Sequence, residues 1–98
     1  DEGPEKVLQA KCMKYCKENG LPYLSFRQSI NAKGFITPGW PDMTIVTMAG
    51  VVFIELKSKG GKLRKEQDAM KRQFMFLGKP IAVVKSFSKF LQVVQGDV

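Results

Sequence analysis

The run Val51-Val52-Phe53-Ile54-Glu55-Leu56-Lys57 restricts the fold more than any other stretch of the chain. Its β-branched and aromatic residues favour a strand, and it ends in acid, leucine, base. Strand side chains alternate between faces, so Leu56 points one way while Glu55 and Lys57 point the other, with Cα atoms about 6.6 Å apart at roughly 3.3 Å per residue. One face is expected to be buried, and the other to present a carboxylate beside an ammonium at the strand's end. Upstream, Gly39-Trp40-Pro41-Asp42 leads into a second β-prone run, Met43-Thr44-Ile45-Val46-Thr47. The three-residue link Met48-Ala49-Gly50 suits a β-hairpin. In that hairpin Asp42 lies across from Glu55 and Lys57, and two carboxylates and a lysine converge at one end of a sheet.

Composition limits what chemistry such an end could carry. The 98 residues include no histidine, which removes the usual general base and every Ser-His or Cys-His arrangement. Carboxylates, lysine and metal remain. The two cysteines, Cys12 and Cys16, fall four apart in a helical pattern. A disulfide there would be strained and a zinc site needs more ligands, so free, buried thiols are expected. Sixteen Lys/Arg against nine Asp/Glu give a net charge of +7, which attracts polyanions, nucleic acid first. A merely well-solvated basic surface is the alternative. No apolar run approaches the roughly 20 residues that span a bilayer, and the polar, acidic first residues do not resemble a signal peptide. The expectation is a single domain over residues 1–98, cytoplasmic and without a membrane partner.

Taken in order, a helix is expected from Pro4, which suits a first turn, to about Glu18. Leu8, Cys12, Tyr15 and Cys16 share its apolar stripe, and Asn19-Gly20 ends it. Glu5 in the first turn complements the helix dipole. Tyr23, Leu24 and Phe26 to Gln28 read as a strand. Residues Ser29 to Gly39 form the longest loop, where Lys33, Gly34 and Thr37 either approach a phosphate or belong to a plain connector. After the hairpin, Ser58-Lys59-Gly60-Gly61-Lys62 is a basic loop with glycine amides available to phosphate. A helix from Leu63 to Leu77 follows, with Leu63, Met70, Phe74 and Leu77 as its buried stripe. Gln67 falls on that stripe, so its amide is either bonded inside or faces a site. Gly78 and Pro80 end the helix. Ile81-Ala82-Val83-Val84 reads as a strand buried on both faces, and Ser86 as the N-cap of a last helix, Phe87 to about Gln95. The order is α-β-β-β-α-β-α, an α/β fold whose mixed sheet is flanked by helices. The strand–helix–strand passage from Val51 to Val84 implies a parallel pair.

Gly39-Trp40-Pro41-Asp42, then Glu55-Leu56-Lys57, then Gln67 in the next helix resemble the Pro-Asp…Glu-x-Lys nuclease superfamily. With Glu5 and Leu8-Gln9 in the first helix and the glycine-rich basic loop, the chain is similar over most of its length to the virus-type replication-repair nuclease (VRR-NUC) domain, in its minimal, phage-type form. The resemblance implies a restriction-endonuclease-like core and Mg²⁺ or Mn²⁺ as cofactor. It implies Asp42, Glu55, the backbone carbonyl of Leu56, and Glu5 as metal ligands, with Glu2 a rival to Glu5. Lys57 would orient water and stabilise developing charge, and Gln67 would hydrogen-bond the water, Lys57 or the phosphate. Lys33, Ser58, Lys59, Lys62 and Arg64 are the candidate nucleic-acid contacts.

What the resemblance further implies is a hydrolase, a metal-dependent endonuclease acting on branched DNA such as Holliday junctions or flaps. It would work as a homodimer, in the cytoplasm of a bacterial or phage-infected host cell. Phe87, Phe90 and Leu91 either form the dimer interface or cover the sheet. Trp40 could stack on a base, pack in the core or meet a partner. A non-catalytic DNA- or RNA-binding module using the same basic loops is the alternative function, and a basic protein that meets an acidic partner is a third.

Overall fold

Apolar spacing and turn chemistry generate seven elements in the computed structural model, which describes residues 5–25 and 37–96: α1 (Glu5–Glu18), β1 (Tyr23–Ser25), β2 (Met43–Thr47), β3 (Gly50–Leu56), α2 (Lys65–Phe76), β4 (Ile81–Val84) and α3 (Phe87–Val94). Their order is the expected one. Phe26 to Gln28, placed in the first strand by sequence, lie outside the described residues. The strands form a four-stranded sheet in the order β1-β2-β3-β4. The first two pairings are antiparallel and β3 with β4 is parallel; α2 supplies the crossover that a parallel pair requires.

The hairpin turn is tighter than expected. Thr47 pairs with Gly50, so the turn holds only Met48 and Ala49, and Gly50 opens β3. The Thr47 hydroxyl donates to the Gly50 carbonyl at 2.8 Å and accepts from the Ala49 N–H at 3.2 Å. That bridge draws the third residue of the link into the ladder.

One sheet face carries the core. Met43, Ile45, Ile54, Leu56 and Val84 are fully buried there against Leu8, Cys12 and Cys16 of α1 and Phe90 and Val94 of α3. Both cysteines are free and buried, and burial pushes the Cys16 thiol upward. Ser86 caps α3, its hydroxyl accepting from the Lys89 N–H at 3.1 Å. Phe90 is fully buried, with its ring 5.8 Å from that of Tyr15, and Phe87 and Leu91 pack on the same core. Phe90 therefore covers the sheet fully, and Phe87 and Leu91 do so in part. β4 is also less enclosed than its apolar run suggests. It sits at the sheet edge, with Ile81 and Val84 buried but Ala82 and Val83 only partly so.

The opposite face packs against α2. This helix starts two residues later than expected, with Arg64 as its N-cap residue, and Leu77 is its C-cap. Phe74 is buried on the helix's inner side, where Phe53 of β3 meets its ring at 5.1 Å and Trp40 at 5.2 Å, both edge-on. Leu77, by contrast, is 63% exposed. The helix ends there and Gly78, at φ 77°, turns the chain toward Pro80, so the periodicity that should bury Leu77 no longer operates.

Candidate active site

The pleat of β3 carries Glu55 to the sheet's end on the α2 face. Pairing with β4 continues one residue beyond the strand, the Lys57 N–H donating to the Val84 carbonyl at 3.0 Å. Lys57 is thus held on the same face as Glu55, with its Nζ 4.0 Å from Glu55 Oε2. Pro41 is buried and delivers Asp42 just before β2 begins. There Asp42 Oδ2 accepts from the Leu56 N–H at 2.8 Å. The backbone amide between the two β3 site residues thereby fixes the second acid.

Gln67 completes the cluster from α2. It occupies the third helical position, where its Oε1 accepts from the Arg64 N–H at 2.8 Å. This is the return half of a capping box. Arg64, lacking a side-chain acceptor, cannot make the forward half. The other end of the same amide, Nε2, donates to Glu55 Oε2. One glutamine therefore closes the start of α2 and orients the central carboxylate. Gly39 locks the approach from the other side. It has φ 84°, and a Cβ there would lie 2.2 Å from the Glu66 carbonyl oxygen. Only glycine lets the segment leading to Asp42 lie against the first turn of α2.

The site is more enclosed than a solvated strand end. Glu55, Lys57 and Gln67 are 3%, 5% and 5% exposed, where the alternation of β3 suggested an open face. Burial pushes the Glu55 carboxyl up to about 8, the nearby Asp42 charge and a hydrogen bond with Asp42 add to the rise, and Lys57 opposes it. Burial and mutual repulsion resist having both acids ionised. A hard divalent cation between them offsets both effects, and an all-oxygen donor set suits Mg²⁺ or Mn²⁺. Among the described residues no group of three or more acidic, cysteine or histidine side chains converges as a metal cluster. The local acidic set is the pair Asp42 and Glu55, with Leu56 closing β3 between them.

Glu5 stands apart from that pair, half-buried in the first turn of α1. One turn later Gln9 is buried, and its Nε2 donates to Ser25 Oγ at 2.7 Å. Ser25 pairs with Met43, the residue after Asp42, so α1 brings Glu5 toward the site end of the sheet. Gln9 has no assigned role in the sequence motif. Its signal was a second amide on an inward helix edge, four residues after Glu5.

The basic loop is a hydrogen-bonded turn, with the Gly61 N–H donating to the Ser58 carbonyl at 2.9 Å. Lys59, Lys62 and Arg64 are exposed beside the site and Ser58 is partly so. Arg64 also pairs with Glu66 at 3.8 Å. Lys33 lies outside the described residues. No helix among the described residues is long and apolar enough to cross a membrane.

Fold and site define an α/β domain whose mixed four-stranded sheet carries a carboxylate pair and a lysine at the end of an inner strand. No family model matches the sequence, and no curated protein matches it significantly. Among solved structures, one described as "VRR_NUC domain" aligns with a TM-score of 0.72 at 20% identity, covering 93% of this chain and 94% of that one. The chain has the fold of a VRR_NUC domain, as the resemblance implied.

Proposed function

We propose that this domain is a Mg²⁺- or Mn²⁺-dependent endodeoxyribonuclease that hydrolyses phosphodiester bonds in branched DNA, such as Holliday junctions or flaps. The observation that carries this is the meeting of Asp42, Lys57 and Gln67 on a single buried carboxylate, Glu55, at the end of β3. The VRR_NUC fold and the net charge of +7 support it.

Asp42, Glu55 and the Leu56 carbonyl would hold the metal, and Glu5 of α1 would reach it through water. When bound, the metal supplies Lewis acidity toward the phosphate and a more acidic water. Lys57 orients the attacking water and balances charge on the phosphate oxygens as the water oxygen bonds to phosphorus. The attacking water gives its proton to solvent, the bond from phosphorus to the leaving sugar oxygen breaks, and that oxygen takes a proton from a solvent water. Gln67 holds Glu55 in place and bonds the water or phosphate. Lys59, Lys62, Ser58 and Arg64 contact neighbouring phosphates without reading sequence.

Incubating the protein with a four-way DNA junction, with and without Mn²⁺, tests this. Cleavage is expected only with metal, and Asp42→Asn should lower it at least 100-fold while leaving junction binding within about threefold. Binding without metal-dependent cleavage would instead favour the non-catalytic module. Affinity that does not weaken with salt would argue against phosphate contacts altogether.

A junction needs two cuts and the described residues hold one candidate site, so the proposal includes a twofold homodimer. α3 is the weaker candidate surface, since Phe90 is buried and Phe87 and Leu91 pack in part on the core. Leu24, Val46 and Val51 offer an uncharged strip on the sheet face opposite the core, being 58%, 47% and 54% exposed. Light scattering at micromolar concentration is expected to give the dimer mass for wild type and the monomer mass for Val46→Lys; a monomeric wild type ends this part of the proposal.

A further inference from the structure

A groove of about 430 Å³ lies along the α2 face of the sheet. Trp40, Phe53, Met70, Phe74 and Leu77 form its apolar walls, and Lys79 stands at its rim. The groove's walls come from the same segments that carry the candidate site. Phe53 precedes Glu55 by two residues on the same strand face, placing their Cα atoms about 6.6 Å apart. Met70 and Phe74 follow Gln67 by three and seven residues along the inner side of α2, and Trp40 is two residues from Asp42. Lys79 is fixed by its N–H, which donates to the Phe74 carbonyl at 2.9 Å.

We infer that this groove receives the base of an unpaired nucleotide within one or two positions of the cleaved phosphate. The inference rests on the nuclease proposal for its geometry and adds a substrate feature to it. Aromatic walls suit any base, because every base has a stacking face, and a rim lysine suits the phosphate that accompanies it. A base in an intact duplex is stacked and paired and cannot enter. A base in a single-stranded flap has already paid that cost, so the groove converts unpairing into a preference for flaps over fully paired junctions. Charge favours a polyanionic occupant. No acidic residue among the described ones lines the groove, and the exposed Lys79 together with the net charge of +7 complements a phosphate-bearing occupant.

Trp40 is the only tryptophan, so its emission reports the groove directly. The probes are a dT12 single strand and a blunt duplex of the same length, titrated in EDTA so that no cleavage occurs. The single strand is expected to quench Trp40 emission by at least half, and the duplex by less than a tenth. Leu77→Asp, a change at an exposed rim position, is expected to weaken single-strand binding about tenfold and leave duplex binding within twofold. Equal quenching by duplex and single strand, or single-strand binding unchanged in Leu77→Asp, would overturn the inference. So would emission that shifts with protein concentration alone, which would mean that a second copy fills the groove. Because the measurement needs no metal, a protein that quenches but never cleaves would retain the groove and lose the nuclease.

Discussion

Lys57→Met is expected to reduce junction cleavage by about 10²–10³-fold in kcat, with KM changed less than threefold. The magnitude is that of removing one preorganised charge donor from an enclosed site. A change in kcat alone is the signature of an interaction made only as the phosphate gains charge. Methionine is the informative replacement because Lys57 is buried. It preserves the length and apolar stem of the side chain while removing the ammonium, so packing is kept and only charge is lost. The cost to folding should be small. Lys57 and Glu55 are 4.0 Å apart, at the outer limit of an ion pair, and Glu55 can remain protonated once its neighbour is neutral. Lys57→Arg should not restore activity, since the planar guanidinium cannot occupy the space of a compact ammonium. Single-turnover cleavage of a junction, with urea unfolding of each variant alongside, checks both halves. A kcat within fivefold of wild type for Lys57→Met would remove Lys57 from the machinery.

The site was legible in the sequence where a local rule fixed direction. The pleat alone put Glu55 and Lys57 on one face, and the hairpin alone put Asp42 opposite them. Ser86 announced α3 because an N-cap is a local event. Burial was not legible, because it depends on what packs over a strand end. The alternation of β3 suggested an open acidic face, and Gln67 from α2 together with the Gly39–Asp42 segment encloses it. Gln67 stood out as an amide on an apolar stripe, but its two bonds, one to Arg64 and one to Glu55, need the tertiary fold to be seen together. Gln9 gave the same signal on α1. Leu77 marks a limit of periodicity, which says which residues share a helix side but not where the helix stops. Phe87, Phe90 and Leu91 mark another. An apolar helix face covers the core or meets a partner with the same sequence, and only tertiary packing, here Tyr15 against Phe87 and Phe90, shows what the face touches.

The metal-free protein is expected to lose stability as pH rises from about 4.5 to about 8. Glu55 carries the raised carboxyl, held up first by burial and then by Asp42. Across that window the unfolded chain has released the Glu55 proton while the folded chain retains it. The folded state therefore binds more protons, and stability falls with pH at up to about 1.4 kcal/mol per unit. The stabilising contribution is complete below about 4.5 and gone above about 8. Mn²⁺ should reverse the trend. Binding to Asp42 and Glu55 displaces that proton, so metal affinity is expected to rise up to tenfold per pH unit and level off near 8, with cleavage following the same rise. Glu55→Gln keeps the shape of the protonated acid and removes its titration. Its urea midpoint should be flat across the window, exceed that of metal-free wild type at pH 8, and show no shift on adding Mn²⁺. Urea midpoints of wild type and Glu55→Gln at four pH values, with EDTA and with Mn²⁺, give all three results. Wild-type stability that rises through this window without metal would mean that Glu55 is already ionised beside Asp42, and that a bound cation is not needed for the two acids to share the end of β3.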